Sequence, residues 1–344
     1  CLAAPPAGHQ ADAFDGLLGN LLPTHLATQI LHVQADPESQ QPQNDFNPSQ
    51  ALYDEFVVQP LNPYLRILKH ERIMRFQFRF KDLFPHRKPL IACIHLQALP
   101  GAPLYGGDLK AVYDQAIAEA ELFAKAGVDG LIVENFRDVP FFPDRVPSET
   151  VAAMAAICRE VVNHAGGMPV GVNVLRNDAD AAMGIAAAVG AQFIRVNVHH
   201  AAALTDQGVV QGQAYATLRK RMALGARVLI FADVAVKHAV PIAHIPLDIE
   251  TRDLSERSLP DALIVSGTGT GAATRVEDLS IVKANAHLPV IVGSGTTPDT
   301  LPALDQYADG YIVGSHLKVD GKAENAVDPR RLGDFARLFM QTIG

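Results

Sequence analysis

Polar and charged side chains recur where short apolar runs of the chain end. Arg195 is the most informative of them, because it lies within the apolar run FIRVN (193–197), where an unpaired buried charge would be costly. Its planar guanidinium group suits either a carboxylate or an anionic ligand. Two interpretations therefore stand side by side: Arg195 binds an anion at an open site, or it forms a structural ion pair with Glu134 or Asp233.

Other runs end in groups that could move a proton or contact a substrate, since imidazoles and carboxylates are common general acids and bases. We predict catalytic roles for His95, Glu134, Arg195 and Asp233, and substrate contacts for Asn135, Asn173, Asn197, Asp206 and Lys237. A hydrogen-bonded structural histidine is an equal alternative for His95. A lysine in such a place can form a Schiff base, but a solvated loop lysine is the favoured interpretation of Lys237.

Three glycine-rich turns also follow apolar runs. Turns of this kind bring backbone N–H groups close to an anion, so we predict a phosphate site. Flexible loops are the alternative, which the recurrence of glycine at matching places disfavours. The predicted phosphate-binding residues are Gly267, Thr268 and Gly269, then Gly293, Ser294 and Gly295, and finally Gly314 and Ser315.

No cofactor is required by these patterns, and no metal ligands are assigned. Glu134, Asp206, Asp233 and His95 could together bind a divalent cation, but no ligand spacing demands one. Cys1, Cys93 and Cys158 are widely spaced and include no CxxC pair. This favours buried, reduced thiols over a disulfide framework or a zinc site.

Eight strand-like runs alternate with helical stretches, which predicts a parallel sheet. The even-numbered runs share a lead-in (GVDGLIVEN, GAQFIRVN, LPDALIVSG and YADGYIVGS), and no GxGxxG turn follows the first run. A repeat of two units favours a closed (β/α)8 TIM barrel over an open doubly wound sheet, with the polar groups at the carboxyl ends of its strands. The predicted strands are 90–95, 130–135, 170–174, 193–197, 228–234, 262–267, 290–295 and 311–315. The predicted helices are 108–126, 149–165, 178–189, 211–224, 276–286, 299–307 and 328–341, and the segment between the fifth and sixth strands is the weakest because it carries two prolines.

The first part of the 344-residue chain differs from the rest. ADPESQQPQNDFNPSQ (35–50) is too polar to bury much apolar surface. We therefore predict a partly disordered or accessory N-terminal extension over 1–73 and a barrel domain over 74–344. The net charge is −8, and the sequence contains no cluster of basic residues that would suggest nucleic-acid binding. No apolar run approaches the roughly 20 residues of a membrane span. These features favour a cytoplasmic protein with a small-molecule ligand, and they leave a homo-oligomer open.

Several motifs, in order, resemble the BtpA/SgcQ family: IHLQALPGAP, GVDGLIVENFRDVPF, PVGVNVLRND, FIRVNV, TDQG, ADVAVKHA and ALIVSGTGTG. The match covers roughly Lys88 to Arg331. It implies a barrel of the ribulose-phosphate-binding type, and the family name comes from a role in photosystem I biogenesis, with no reaction firmly attached. The resemblance adds Arg176, Asn177, Asp178 and Gln207 to the candidate residues. One departure is VHHAAALTDQG (198–208), where relatives tend to have a glycine after the first histidine, so the conformation of this loop is open.

Three functions follow from these patterns. The first is an enzyme acting on a phosphorylated sugar or nucleoside-like metabolite, by aldol cleavage, isomerisation or glycosidic-bond cleavage. The second is a non-catalytic assembly or stability factor, which predicts an exposed apolar patch and a plugged mouth. The third is a metabolite-binding regulator that keeps the phosphate site without a working acid/base pair.

Overall fold

Eight parallel strands close into a barrel in the computed structural model, which describes residues 78–343 except positions 235, 244, 268 and 270. The predicted extension at 1–73 lies outside the described residues. The barrel strands follow one another in chain order, and the last pairs with the first through Leu90 and Tyr311. This closure confirms the predicted (β/α)8 TIM barrel.

The elements alternate as the sequence predicts. The barrel strands are β1 (Leu90–His95), β2 (Gly130–Glu134), β3 (Val170–Asn173), β4 (Phe193–Val196), β7 (Leu229–Asp233), β9 (Ala262–Val265), β10 (Val290–Val292) and β11 (Gly310–Val313). The helices are α1 (Phe80–Leu83), α2 (Leu109–Ala126), α3 (Ser148–His164), α4 (Ala179–Val189), α5 (Ala214–Leu224), α6 (Leu247–Arg257), α7 (Val276–Asn285), α8 (Leu301–Asp305) and α9 (Pro329–Ile343). Every barrel strand is buried along its whole length, which explains its near-continuous apolar sequence.

Aromatic rings fill the amino-terminal half of the barrel interior. Phe193 and Phe231 stack with ring centroids 4.6 Å apart, and Phe80 of α1 packs on Phe231 from below. Gly171 on β3 makes room for this stack, because a Cβ atom there would lie 2.1 Å from the Phe193 ring. The interior is therefore closed at this end, and any cavity must open at the carboxyl ends of the strands.

The shared lead-in of the even-numbered strands has a structural explanation at the amino-terminal rim. Asp129, Gln192, Asp261 and Asp309 occupy equivalent positions in the repeat, and each side chain accepts a hydrogen bond from the first part of the preceding strand. The three aspartates are also paired with Arg87, Arg221 and Lys283, respectively. The repeat thus fixes the strands to one another, far from the carboxyl ends where the chemistry is expected.

A small antiparallel sheet stands on the carboxyl face of the barrel, where the sequence predicts only loops. It consists of β5 (Ala202–Thr205), β6 (Gly208–Gln211) and β8 (Ala239–Pro241), with β5 in the centre. The loop that departs from the family pattern therefore forms a hairpin, and α5 begins later than the predicted 211 because Gln211 still belongs to β6. The weakly predicted segment between the fifth and sixth barrel strands forms α6, which lies between Pro246 and Pro260.

Candidate functional site

The four predicted catalytic residues converge at the carboxyl end of the barrel. His95, Glu134 and Asp233 are the last residues of β1, β2 and β7, and Arg195 lies one residue before the end of β4. All four side chains are buried. They point inward because they alternate with residues that face the surrounding helices, so the strand geometry brings them to one place.

Arg195 forms ion pairs with both candidate carboxylates. Its Nε and Nη2 atoms each lie 3.0 Å from an oxygen of Asp233, and its Nη1 atom lies 3.4 Å from Oε1 of Glu134. Burial alone would lower the pKa of the guanidinium group, but the two facing carboxylates raise it above its ordinary value. Arg195 is therefore permanently charged, and the structural ion pair weighed from the sequence is the one that the structure contains.

Two asparagines complete this buried network. Asn173 donates to Oε1 of Glu134 at 2.9 Å, and Asn197 donates to Oδ2 of Asp233 at 2.9 Å. Burial would raise the pKa of Glu134, but the Arg195 charge and the hydrogen bond from Asn173 help to lower it below its ordinary value. Glu134 is thus an ionised carboxylate at neutral pH, with a fixed orientation. Asn197 Oδ1 is buried and makes no hydrogen bond to the described part of the chain.

His95 is a neutral imidazole at neutral pH. Its Nδ1 atom lies 3.0 Å from the carbonyl oxygen of Ala323, and since a carbonyl only accepts, Nδ1 carries the proton. Burial lowers the pKa of His95 to about 4, against the opposing effect of Glu134. The Nε2 atom therefore carries the lone pair that is available at the mouth of the barrel.

Lys237 contributes a second positive charge to the mouth. It is half-buried and lines the same walls as Glu134 and Arg195. Burial and the nearby Arg195 charge lower its pKa from the ordinary lysine value. Lys237 lies in a loop and is partly solvated, as the favoured interpretation has it, but its side chain also faces the site.

A small cavity lies between this network and the glycine-rich turns. It is lined on one side by the turns after β10 and β11 and on the other by Glu134, Arg195 and Lys237. Gly293 and Gly314 cannot carry a side chain here, because a Cβ atom would lie 2.4 Å from Ile264 and 2.8 Å from His95, respectively. The wall residues supplied by the turns are Gly271, Gly293, Ser294, Gly295, Thr296, Gly314, Ser315 and His316.

The third turn, after β9, supports the cavity differently from the prediction. Gly267 packs against the backbone of Ala272 and Ala273, and Gly269 lies beside His238, while Gly271 reaches the cavity wall. Ser294 accepts a hydrogen bond from Gly267 N at 2.9 Å and donates to Ala272 O at 3.2 Å, so its hydroxyl ties two turns together. The predicted Thr268 lies outside the described residues.

A larger cavity continues outward from the small one and shares Glu134, Arg195 and Lys237 with it. Two further cations, Arg137 and Arg176, line it. Its remaining walls include Asn173 and Asn197, the rings of Phe136 and Phe141, and Asp206 from the turn of the β5–β6 hairpin. The mouth is therefore open and carries both signs of charge, since Asp206 and Glu324 line it together with these arginines.

Three candidates from the sequence hold loops instead of lining the two cavities of the mouth. Asn135 accepts a hydrogen bond from Leu175 N at 2.7 Å and donates to Asp138. Asn177 accepts from the amide of Val198 and donates to its carbonyl oxygen. Asp178 caps α4 by accepting from Ala181 N. These side chains satisfy backbone groups between neighbouring βα loops, and they position the mouth.

Sequence reasoning missed Cys93, Gly271 and Thr296, which line the small cavity with the predicted residues. One signal could have found Cys93: period-two alternation places it on the same inward face of β1 as His95. Gly271 belongs to the same glycine run as Gly267 and Gly269. Thr296 has a buried hydroxyl that makes no hydrogen bond within the described residues, and no sequence pattern marks it.

The closed eight-stranded barrel with a polar mouth at its carboxyl face defines the class of this protein as a TIM barrel. The model of the BtpA family matches residues 86–341, and the chain belongs to that family. None of the helices within the described ranges has the length and apolar character needed to cross a membrane.

Relatives in this family come from distant organisms. An uncharacterized protein of Thermococcus kodakarensis is 46% identical over 263 residues, which is 74% of this chain and 98% of the relative. The photosystem I biogenesis protein BtpA of Synechocystis is 45% identical over 253 residues, 73% of this chain and 88% of that protein. Among solved structures, thiamine phosphate pyrophosphorylase from Pyrococcus furiosus is similar with a TM-score of 0.47 and 12% identity, covering 75% of this chain and 98% of the other.

Proposed function

We propose that this protein is an enzyme that acts on a small phosphorylated metabolite, either a sugar or a nucleoside-like compound. One observation carries the proposal: the cavity walled by the glycine turns opens directly onto Glu134, Arg195 and Lys237. These residues also line the larger cavity. A phosphate held in the first cavity would therefore place the rest of the substrate against ionised groups in the second.

The chemistry of the small cavity favours an anion. Closely approaching backbone offers N–H donors without bulky side chains, and Lys237 adds a positive charge on the opposite wall. The buried hydroxyl of Thr296 is a further donor for which the described residues supply no acceptor. In this account Ser294 positions the turns, since its hydroxyl is already used between Gly267 and Ala272.

The residues of the mouth have three roles. Glu134 is the general base, because it is ionised, oriented by Asn173 and placed where both cavities meet. Arg195 is a positioning residue that holds Glu134 and Asp233 in place. Lys237 contacts the substrate, and its lowered pKa makes a nucleophilic amine more accessible. Aldol cleavage, isomerisation and glycosidic-bond cleavage all use such a set.

Thermal-shift measurements with matched pairs of phosphorylated and unphosphorylated sugars and nucleosides test the proposal. We expect stabilisation by at least one phosphorylated member and none by its unphosphorylated partner. In Ser315→Asp, a carboxylate in the cavity wall should repel the phosphate and abolish the shift. Ser280→Asp adds the same charge on α7, outside the cavity walls, and should preserve it. No response to any phosphorylated compound, or equal loss in both variants, would refute the phosphate site.

A second candidate function, a non-catalytic assembly factor, is supported by one observation. Val209, Leu204 and Val240 form a cross-strand row on the small sheet, and their exposed fractions are 51%, 55% and 66%. An exposed apolar row suits contact with another protein. If this surface is the functional one, Leu204→Ser/Val240→Ser would lose the cellular role while Ser315→Asp keeps it. The opposite result supports the enzyme.

A further inference from the structure

Cys93, His95 and Glu134 form a compact group of potential metal ligands at the edge of the small cavity. One ligand atom from each residue can be chosen so that all three lie within 4.8 Å of one another. Cys93 and His95 share the inward face of β1, and Glu134 is the register partner of His95 on β2. The group is therefore produced by strand pairing and alternation, two rigid features of the barrel.

We propose that Cys93, His95 and Glu134 bind a divalent transition-metal ion of the zinc type, with its open coordination position facing the small cavity. The site stands independently of the proposed phosphorylated substrate, because its ligands and its test involve no substrate. When the ion is bound, Oε2 of Glu134 is a metal ligand, so Glu134 is a free general base only in the metal-free protein.

The orientation of His95 suits a metal ligand. Its Nδ1–H donates to the carbonyl oxygen of Ala323, which leaves Nε2 as the ligand nitrogen. A Cβ atom on Gly314 would lie 3.2 Å from this Nε2 and 3.4 Å from Cβ of Cys93, so both side chains border the same glycine. A backbone carbonyl on the second ring nitrogen is the usual way in which proteins fix the tautomer of a metal-binding histidine.

Glu134 is likewise oriented with one oxygen left over. Oε1 accepts hydrogen bonds from Asn173 and Arg195 at 2.9 and 3.4 Å. Oε2 makes no hydrogen bond with the described part of the chain, so it is the oxygen that can bind the ion. The bonds to Oε1 hold the carboxylate plane in place, as outer-shell partners of metal-binding carboxylates do.

The ligand types decide which metal fits. A thiolate with an imidazole and one carboxylate suits zinc and similar transition metals, whereas magnesium and calcium prefer oxygen ligands alone. In a tetrahedral site, zinc bonds of about 2.0–2.3 Å place two ligand atoms about 3.3–3.7 Å apart. A pair near the 4.8 Å limit of this group must therefore close by about 1 Å through side-chain rotation. The Cys93 thiol loses its proton to solvent as the metal–sulfur bond forms.

The cation set considered from the sequence is a weaker choice. Both oxygens of Asp233 are engaged by Arg195, and Asn197 donates to one of them. Asp206 lies on the exposed turn of the β5–β6 hairpin. Three protein ligands at Cys93, His95 and Glu134 leave a fourth position open, which is the arrangement of catalytic zinc sites, whereas structural sites have four protein ligands. That position would face the glycine turns across the cavity.

Cobalt titration of the full chain, stripped of metal by a chelator, tests the site. Co²⁺ bound to a thiolate gives a sulfur-to-metal charge-transfer band in the near ultraviolet, and we expect one ion per chain, displaced by added Zn²⁺. Cys93→Ser should abolish the band, and Glu134→Gln should weaken Zn²⁺ binding more than tenfold, as loss of even an outer-shell partner costs about 10–100-fold. Cys158→Ser and Cys1→Ser are the matched controls and should keep the band.

A second measurement uses the unaltered chain, so its result does not depend on whether a variant folds. Zn²⁺ should protect Cys93 from alkylation while leaving the labelling of Cys1 unchanged, as mapped by peptide mass spectrometry. The absence of a charge-transfer band in the unaltered chain would overturn the proposal. So would a band that survives in Cys93→Ser, or labelling of Cys93 that Zn²⁺ does not slow.

Discussion

Arg195 and Asp233 face each other as a two-point ion pair inside the barrel, with Nε–Oδ1 and Nη2–Oδ2 distances of 3.0 Å. Their side chains are only 2% and 0% exposed. Arg195 also reaches Glu134 on the far side. The guanidinium group therefore holds two carboxylates from two different strands, and it fixes the candidate base at the junction of the two cavities.

Removal of the guanidinium group should strongly destabilise the fold. Arg195→Met leaves two buried carboxylates without their cation, and we expect a loss of about 3–5 kcal/mol in the free energy of unfolding. Urea denaturation measures this loss. In the double variant Arg195→Met/Asp233→Leu, the cost should be well below the sum of the single costs, since one uncompensated charge is removed. Additive costs would contradict the pairing.

Lys237 should matter for ligand binding and little for stability. We expect Lys237→Met to weaken the binding of any phosphorylated ligand by about 1.5–3 kcal/mol, the range for a charge-assisted hydrogen bond. The melting temperature of Lys237→Met should not fall, because the substitution removes a desolvated ammonium group. Calorimetry of binding and of unfolding separates the two effects. Lys125→Met, an exposed change on α2, should leave both unchanged, and an equal loss of affinity there would argue against a specific contact.

Stability should fall in mild acid because of His199. Its Nε2–H donates to Ser258 O at 3.0 Å, while its buried Nδ1 has no partner within the described residues. Burial lowers the pKa of His199 to about 4. Between about pH 6.5 and 4, His199 therefore binds a proton in the unfolded chain but not in the folded chain. The titration of His199 therefore does not change the free energy of unfolding above about pH 6.5. Near pH 4 it lowers that free energy by about 3 kcal/mol.

His199→Gln isolates this effect, because its amide can still donate to Ser258 and does not titrate. The free energy of unfolding of the variant should fall less steeply between pH 6.5 and 4 than that of the unaltered chain. Identical pH profiles would show that His199 is not kept neutral in the fold.

The aspartates of the even-strand repeat should act on stability alone. Asp309 accepts from Val290 N at 2.8 Å and is paired with Lys283. We expect Asp309→Ala to lower the free energy of unfolding by about 1–3 kcal/mol, because it leaves both a backbone N–H donor and a lysine without their partner. Asp334→Ala removes an exposed pair with Arg337 and should change stability by less than about 0.5 kcal/mol. Thermal unfolding compares them, and similar values for the two would contradict the structural role of the repeat.

The sequence predicts the barrel well because its evidence is local. Short β-branched runs, the helices between them and the lead-in that contains Asp129, Asp261 and Asp309 all reflect contacts repeated around the barrel. The small sheet was missed because β5 pairs with β8, more than thirty residues along the chain. No local pattern at Ala202–Thr205 specifies that partner.

The sequence predicts which residues form the site better than it predicts what each of them does. Alternation along the strands is enough to place His95, Glu134, Arg195 and Asp233 together. The choice between ion pair and anion clamp for Arg195 depends on side chains 61 and 38 residues away, so the sequence left it open. Asn135 and Asn177 share the polar character of site residues but bond to loop backbone, a distinction that only three-dimensional contacts reveal.

A crystal structure of the full chain with a phosphorylated sugar that stabilises it tests the central claim most directly. We predict the phosphate between the turns at 293–296 and 314–316, beside Gly271, with the sugar extending past Glu134 and Lys237. A phosphate bound outside this cavity would contradict the proposal. So would an unphosphorylated sugar that binds in the same position as its phosphorylated counterpart.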